Sequence, residues 1–248
     1  QTQQTLEAIK RFEQVVTLQP EHVEAHANLA VALQQSGQFE SAIASYQRAL
    51  QLRPDYAQAW SNLGNLYIGL QNWSEALNTS RAAIQIDPNQ VPFHYNHGLA
   101  LFGLQRYQES LAVFNHIIAQ FTPNVFAYHH RGNALRELGD WTEAEISFKQ
   151  AIELAPEFAQ SQANLGLVYK HMGRLHEALG CLDEAIRIQP DAADHYSHRG
   201  VVLHDLKRYE EALQSHGQAV EQDPNFSQAW TNWGITQLEV HALEPALH

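Results

Sequence analysis

Glycine recurs along this chain at a fixed interval. Moving 34 residues at a time from Gly64 reaches Gly98, Gly132, Gly166, Gly200 and Gly234, with Ala30 one step before. A residue held in register over so many steps marks a tandem repeat. Such a chain has no single central core, because each unit buries its apolar face on its neighbours. Around Gly64 the stretch Trp60-Ser-Asn-Leu-Gly-Asn-Leu-Tyr67 places Trp60, Leu63, Gly64 and Tyr67 at i, i+3, i+4 and i+7. That is one apolar stripe on an α-helix.

The remaining punctuation agrees. Residues 1–22 carry the second half of a unit, Ala8, Phe12, Val15 and Pro20 matching Ala42, Tyr46, Ala49 and Pro54. Six full units follow, at 23–56, 57–90, 91–124, 125–158, 159–192 and 193–226, and a seventh begins at Ser227 and stops at His248 inside an expected second helix. Each unit reads as two antiparallel helices, A and B. In 125–158, helix A runs from Phe126 to Leu138, Gly139-Asp140 marks the break, and helix B carries Trp141, Ala144, Phe148, Ala151 and Ile152 on one face. Seven prolines (Pro20, Pro54, Pro88, Pro123, Pro156, Pro190, Pro224) fall in the turns between units, where no helical N–H is lost. Pro92 and Pro245 are expected in first helical turns, which proline tolerates. Gly64 and its equivalents leave no Cβ where helix A meets helix B, and Ala42, Ala76, Ala144, Ala178 and Ala212 do the same from the other side, with Ser110 in the third unit. The expectation is an all-α chain, a single array over 1–248.

Composition narrows the partners. The formal charge is −12, which disfavours a nucleic-acid backbone or an anionic membrane surface as ligand. One cysteine, Cys181, allows neither an intrachain disulfide nor a cysteine-based metal site, and suits a reducing, cytoplasmic setting. No apolar run approaches the roughly 18 residues of a membrane helix, and the polar start at Gln1 does not resemble a signal peptide. From the missing initiator Met and the two ends that cut through a repeat, the expectation is a piece of a longer array or of an array joined to something else.

The pattern Trp60-x-x-Leu63-Gly64-x-x-Tyr67, followed by Ala76, Ala83 and Pro88, resembles the tetratricopeptide repeat over essentially the whole chain. Departures are local. Ser80 and His216 replace the usual helix B aromatic, Thr122-Pro123 sets the fourth junction one residue late, and His97, Arg131 and Arg199 stand where Leu is usual. The arginines are read as structural, each paired with a nearby carboxylate. The resemblance implies an α-solenoid whose helix pairs form a right-handed superhelix, with the A helices lining a concave groove. It also implies that the second, fifth, sixth, ninth, twelfth and thirteenth residues of each unit face that groove.

The sixth positions hold Asn28, Asn62, Asn96, His130, Asn164, His198 and Asn232. An amide offers both donor and acceptor, which suits the backbone of an extended peptide, and a similar asparagine ladder occurs in the repeat region of the O-GlcNAc transferases. The alternative is that these amides bond only a neighbouring helix or water. Asn65 and Lys170 belong to the same implied surface, and its middle is richest: Tyr95, Phe102, Phe126, His129, His130, Asn133 and Arg136 combine aromatics, amides and a cation. Phe126 has a second reading, packed on the preceding turn. The lysine clamp by which some family members grip a chaperone tail is missing, since the fifth positions Ala27, Ser61, Tyr95, His129, Ala163, Ser197 and Thr231 include no lysine.

Chemistry is sparse. His22-Val-Glu-Ala-His26 lacks the glutamate a zinc-protease motif places directly after its first histidine, and the pairs His94/His97 and His195/His198 have no third ligand. There is no phosphate loop and no nucleophile elbow, so neither catalysis nor a cofactor is expected. His130 and His198 in the groove are expected to gain charge below about pH 6.5. The leading expectation is a scaffold that holds an extended peptide or helix of a partner protein in the groove. The alternatives are the substrate-recruiting arm of a larger enzyme, such as a glycosyltransferase of the O-GlcNAc transferase kind, and self-assembly through uncapped terminal helices into a homo-oligomer.

Overall fold

The computed structural model describes residues 2–122 and 124–243; Pro123 and Pro245, and the end of the seventh unit at His248, lie outside them. Among the described residues the chain is all α, with fourteen helices and no strand. It divides into two compact units, 1–121 and 122–248.

The first unit holds α1 (Thr2–Leu18), α2 (Val23–Gln35), α3 (Phe39–Leu52), α4 (Ala57–Gly69), α5 (Trp73–Ile86), α6 (Val91–Gly103) and α7 (Tyr107–Gln120). The second holds α8 (Val125–Glu137), α9 (Trp141–Leu154), α10 (Ala159–His171), α11 (Leu175–Ile188), α12 (Ala193–Asp205), α13 (Tyr209–Gln222) and α14 (Ser227–Leu243). The even-numbered helices are the A helices, the odd-numbered the B helices. Each A helix from α2 to α12 packs on the B helix that follows it, and within each unit successive A helices lie side by side.

Each of the six A-to-B turns is closed in the same way. After α2, Gln38 N–H reaches back to the Leu33 carbonyl at 2.9 Å and Gly37 N–H to the Gln34 carbonyl at 3.1 Å, satisfying carbonyls the helix end would leave unpaired. The residue at the bend must take a positive φ. Gly37, Gly139 and Gly173 supply it without strain, whereas Gln71, Gln105 and Lys207 hold φ near 60° with a side chain attached.

The glycine ladder sits where helix A meets helix B. A Cβ on Gly98 would lie 2.8 Å from the Phe114 ring, on Gly132 2.8 Å from Phe148, and on Gly200 2.4 Å from His216. Ala42, Ala76, Ala144, Ala178 and Ala212 are fully buried opposite. The polar seventh positions are paired as read. Arg131 bonds Glu143 at 2.9 Å and Ser147 at 2.6 Å, and Arg199 bonds Asp183 and Ser215, each at 2.6 Å. His97 Nδ1 lies 3.1 Å from Ser80 Oγ, so two departures from the repeat pattern compensate each other.

One expectation fails at the last described helix. A turn like the others would fall near Val240, yet α14 runs unbroken to Leu243. Leu238-Glu-Val-His-Ala-Leu243 contains no glycine or proline to stop it. Among the described residues nothing accordingly lies within 4 Å of where a Cβ on Gly234 would be.

Candidate functional site

The fourth residue of a repeat gives several histidines and aromatics a structural role. In the first unit His26, Trp60 and His94 each donate a ring N–H to the carbonyl of a proline six residues earlier, Pro20, Pro54 and Pro88, at 2.7–2.9 Å. In the second, the Tyr196 hydroxyl and the Trp230 indole N–H donate likewise to Pro190 and Pro224 at 3.0 Å. Position four therefore takes any ring with a donor at its tip, and the junction is latched. His22 Nδ1 accepts from Ala25 N–H as a helix N-cap. No group of three or more metal-ligating side chains forms among the described residues.

In the first unit the sixth-position amides differ from one another. Asn28 is exposed, as is Asn65 at a ninth position, and Asn62 is half-buried, accepting from Gln58 at 2.8 Å. Asn96 departs from the groove expectation. It is 5% exposed and donates to the Ser61 carbonyl at 3.1 Å and to Ser61 Oγ at 3.3 Å, so its amide ties α6 to α4. Tyr95 is half-buried, edge-on to Phe114 at 6.0 Å, and burial pushes its hydroxyl up to about 12. Phe102 stands edge-on to Tyr107 at 5.2 Å.

In the second unit four of the expected groove residues meet one another in a directed chain. Arg136 Nη1 donates to Asn164 Oδ1 at 3.0 Å, Asn164 Nδ2 to Asn133 Oδ1 at 2.9 Å, and Asn133 Nδ2 to His129 Nε2 at 3.1 Å. With Nε2 accepting, the proton of neutral His129 sits on Nδ1 and points at Ser161 Oγ, 2.9 Å away. Each donor thereby sets the orientation of the next amide or ring. His129 is thus not a groove residue: it is 7% exposed, and burial drives its imidazole down to about 3. Phe126 is 48% exposed and meets Phe158 edge-on at 5.5 Å, a contact with the junction that follows α9 rather than with the preceding turn. Asn232 bonds Ser197 at 3.5 Å, a weaker counterpart of the Asn96 tie.

The pH switch expected of His130 and His198 is corrected. Burial lowers His130 to about 4 and also lowers His198, where the Asp194 carboxylate works against burial while His195, Arg136 and Lys170 work with it. Desolvation disfavours the charged ring, so neither gains charge near pH 6.5.

The second unit also encloses a cleft of about 690 Å³. Its walls come from four successive A helices and include Arg136, Leu167, Lys170, His198, Val201 and Asn232. Trp141 and His171 stack at its rim, ring centroids 4.3 Å apart and 9° from parallel. The cleft is apolar along Leu167 and Val201, with cations and amides at intervals, the composition of a surface that orients a polar chain by a few contacts. Sequence reasoning named Arg136, Lys170 and His198. It missed Trp141 and His171, whose signal was an aromatic at the start of one B helix and a histidine at the end of the next A helix.

No helix among the described residues is long and apolar enough to cross a membrane. No curated protein sequence matches the chain. A solved tetratricopeptide repeat protein from Parabacteroides merdae superposes with a TM-score of 0.78 at 20% identity, over 94% of this chain and 92% of that one. The APC/C hetero-tetramer Cut9–Hcn1 gives 0.80 at 15% identity over 94% of this chain, which spans 46% of the matched chain's length. YrrB, described as a TPR protein with an unusual peptide-binding site, gives 0.62 at 26% identity, over 79% of this chain and 97% of that one. These likenesses agree on an all-α helical-repeat solenoid. Models of the repeat match residues 1–45, 32–71, 62–125, 125–191 and 157–225. The chain belongs to the tetratricopeptide-repeat family.

Proposed function

We propose that this chain is a non-catalytic scaffold that holds an extended segment of a partner protein against its A helices, with the cleft of the second unit as the principal seat. The observation that carries the reading is that one cleft takes wall residues from α8, α10, α12 and α14 in turn. A ligand touching a single residue per repeat must itself be extended, because successive contacts are spaced by helix packing of roughly 8–10 Å. The peptide-binding site described for YrrB supports the class of ligand.

The asparagine ladder contributes less than its spacing suggests. Asn96 is spent on holding two helices together, and Asn164 on orienting Arg136. Asn28, Asn62 and Asn65 are the amides that supply backbone-reading contacts in the first unit.

Photo-crosslinking tests this. A benzophenone amino acid at Val201, on the cleft wall, is expected to capture members of a random decapeptide library. The same probe at Ile146, exposed on α9, is expected to capture few. Equal capture at both positions, or none at Val201, refutes the proposal.

A further inference from the structure

We infer that the cleft of the second unit selects an acidic side chain of its partner, holding the carboxylate between Arg136 and Lys170; this rests on the peptide-binding reading above.

Both cations occupy the twelfth position of their units, on adjacent A helices α8 and α10, and both line the one cleft. Arg136 is held from behind. Its Nη1 is engaged by Asn164 and its Nη2 by Glu137 at 2.9 Å, which uses two of the five N–H donors of a guanidinium. The chain running back through Asn164, Asn133 and His129 to Ser161 fixes where that planar head sits, so a carboxylate meets a donor already ordered. Lys170 is held loosely, its ammonium 3.6 Å from an Asp205 carboxylate oxygen, beyond hydrogen-bond reach. An incoming carboxylate can replace that contact with a direct charge-assisted hydrogen bond.

Glu137 lines the cleft beside Arg136, Asp205 pairs with Lys170, and Asp194 acts on His198 in the wall, so a ligand carboxylate must compete with these acids for the two cations. The apolar wall of Leu167 and Val201 lowers the local dielectric, which strengthens the attraction over that of a surface pair. The first unit offers a contrast within the same chain. Its twelfth positions are Gln34, Ile68 and Phe102, none of them charged. Acid selectivity therefore belongs to the second unit.

The test is selection of peptides from a random decapeptide library on the full chain, against Arg136→Gln/Lys170→Gln, with circular dichroism to confirm that the variant is folded. Aspartate or glutamate is expected to be enriched several-fold at one position on the wild type, and the enrichment to vanish on the variant. A selected acidic peptide should bind about tenfold more tightly than its Asn/Gln counterpart, with the difference shrinking as salt is raised. Peptides selected without acidic enrichment would overturn the inference and leave the peptide-binding reading standing; failure to select any peptide would overturn both. If the wild-type chain dimerises in light scattering and the variant does not, the cleft takes a second copy and the inference falls.

Discussion

Alanine at two glycines of the same repeat position should change stability in opposite directions. At Gly132 the new Cβ would lie 2.8 Å from Cε1 and Cζ of Phe148 and 3.0 Å from its Cδ1, against carbon–carbon contacts of about 3.5–4.0 Å. Phe148 is fully buried, so its ring must push its neighbours by roughly 1 Å, an overpacking that costs about 1–3 kcal/mol. Replacing glycine within a helix returns about 1 kcal/mol, so the net loss is about 0–2 kcal/mol. At Gly234 nothing among the described residues lies within 4 Å, and only the helix-forming gain of about 1 kcal/mol remains. The two substitutions should therefore differ by about 1–3 kcal/mol. Urea unfolding followed by circular dichroism reads this as a midpoint that falls for Gly132→Ala and rises for Gly234→Ala. Adding Phe148→Leu to Gly132→Ala should recover part of the loss, because a smaller side chain leaves room for the methyl. Equal rises at both sites would show that helix propensity alone governs the position, and the account of the glycine ladder would be wrong.

Two further outcomes follow from turns and buried rings. Gln71→Gly, Gln105→Gly and Lys207→Gly should each raise the unfolding midpoint by up to about 1 kcal/mol of stability, since φ near 60° is strained for a side-chain-bearing residue; unchanged midpoints would contradict this. Burial holds His216 near 4, against 6.5 for a free histidine, so it contributes stability that is fully present above about pH 6.5 and is lost as pH falls toward 4. His216→Leu, which copies Leu182 at the equivalent place, should flatten the pH dependence in that window by about 1.4 kcal/mol per pH unit. Parallel curves for the two proteins would show that His216 is not buried neutral.

The repeat length, the helix pairs and the glycine contacts were legible in the residues, because each depends on local spacing: a helix stripe, a turn, a missing Cβ. The pairing of Arg131 and Arg199 was legible for a related reason, since a charge in a half-buried row must find its opposite. The behaviour of the sixth-position amides was not. Asn96 and Asn62 share residue type and repeat position, yet one is locked to Ser61 of the preceding A helix and the other accepts from Gln58 of its own helix. What separates them is which carbonyl or hydroxyl the preceding A helix brings within about 3 Å, and a single sequence does not encode that distance directly.

The histidines show the same division most clearly. Spacing alone made His130 and His198 resemble switches, but protonation depends on how much water the surrounding helices leave at the ring. Tertiary packing removed that water, and it also turned Arg136, Asn164, Asn133 and His129 from four separate candidates into one oriented chain. Sequence determined what repeats and where the chain bends, since those follow from neighbours along the backbone. Only the packed structure decided which polar groups satisfy one another and which face the cleft, since a hydrogen bond is a relation between atoms that the chain brings together from different repeats.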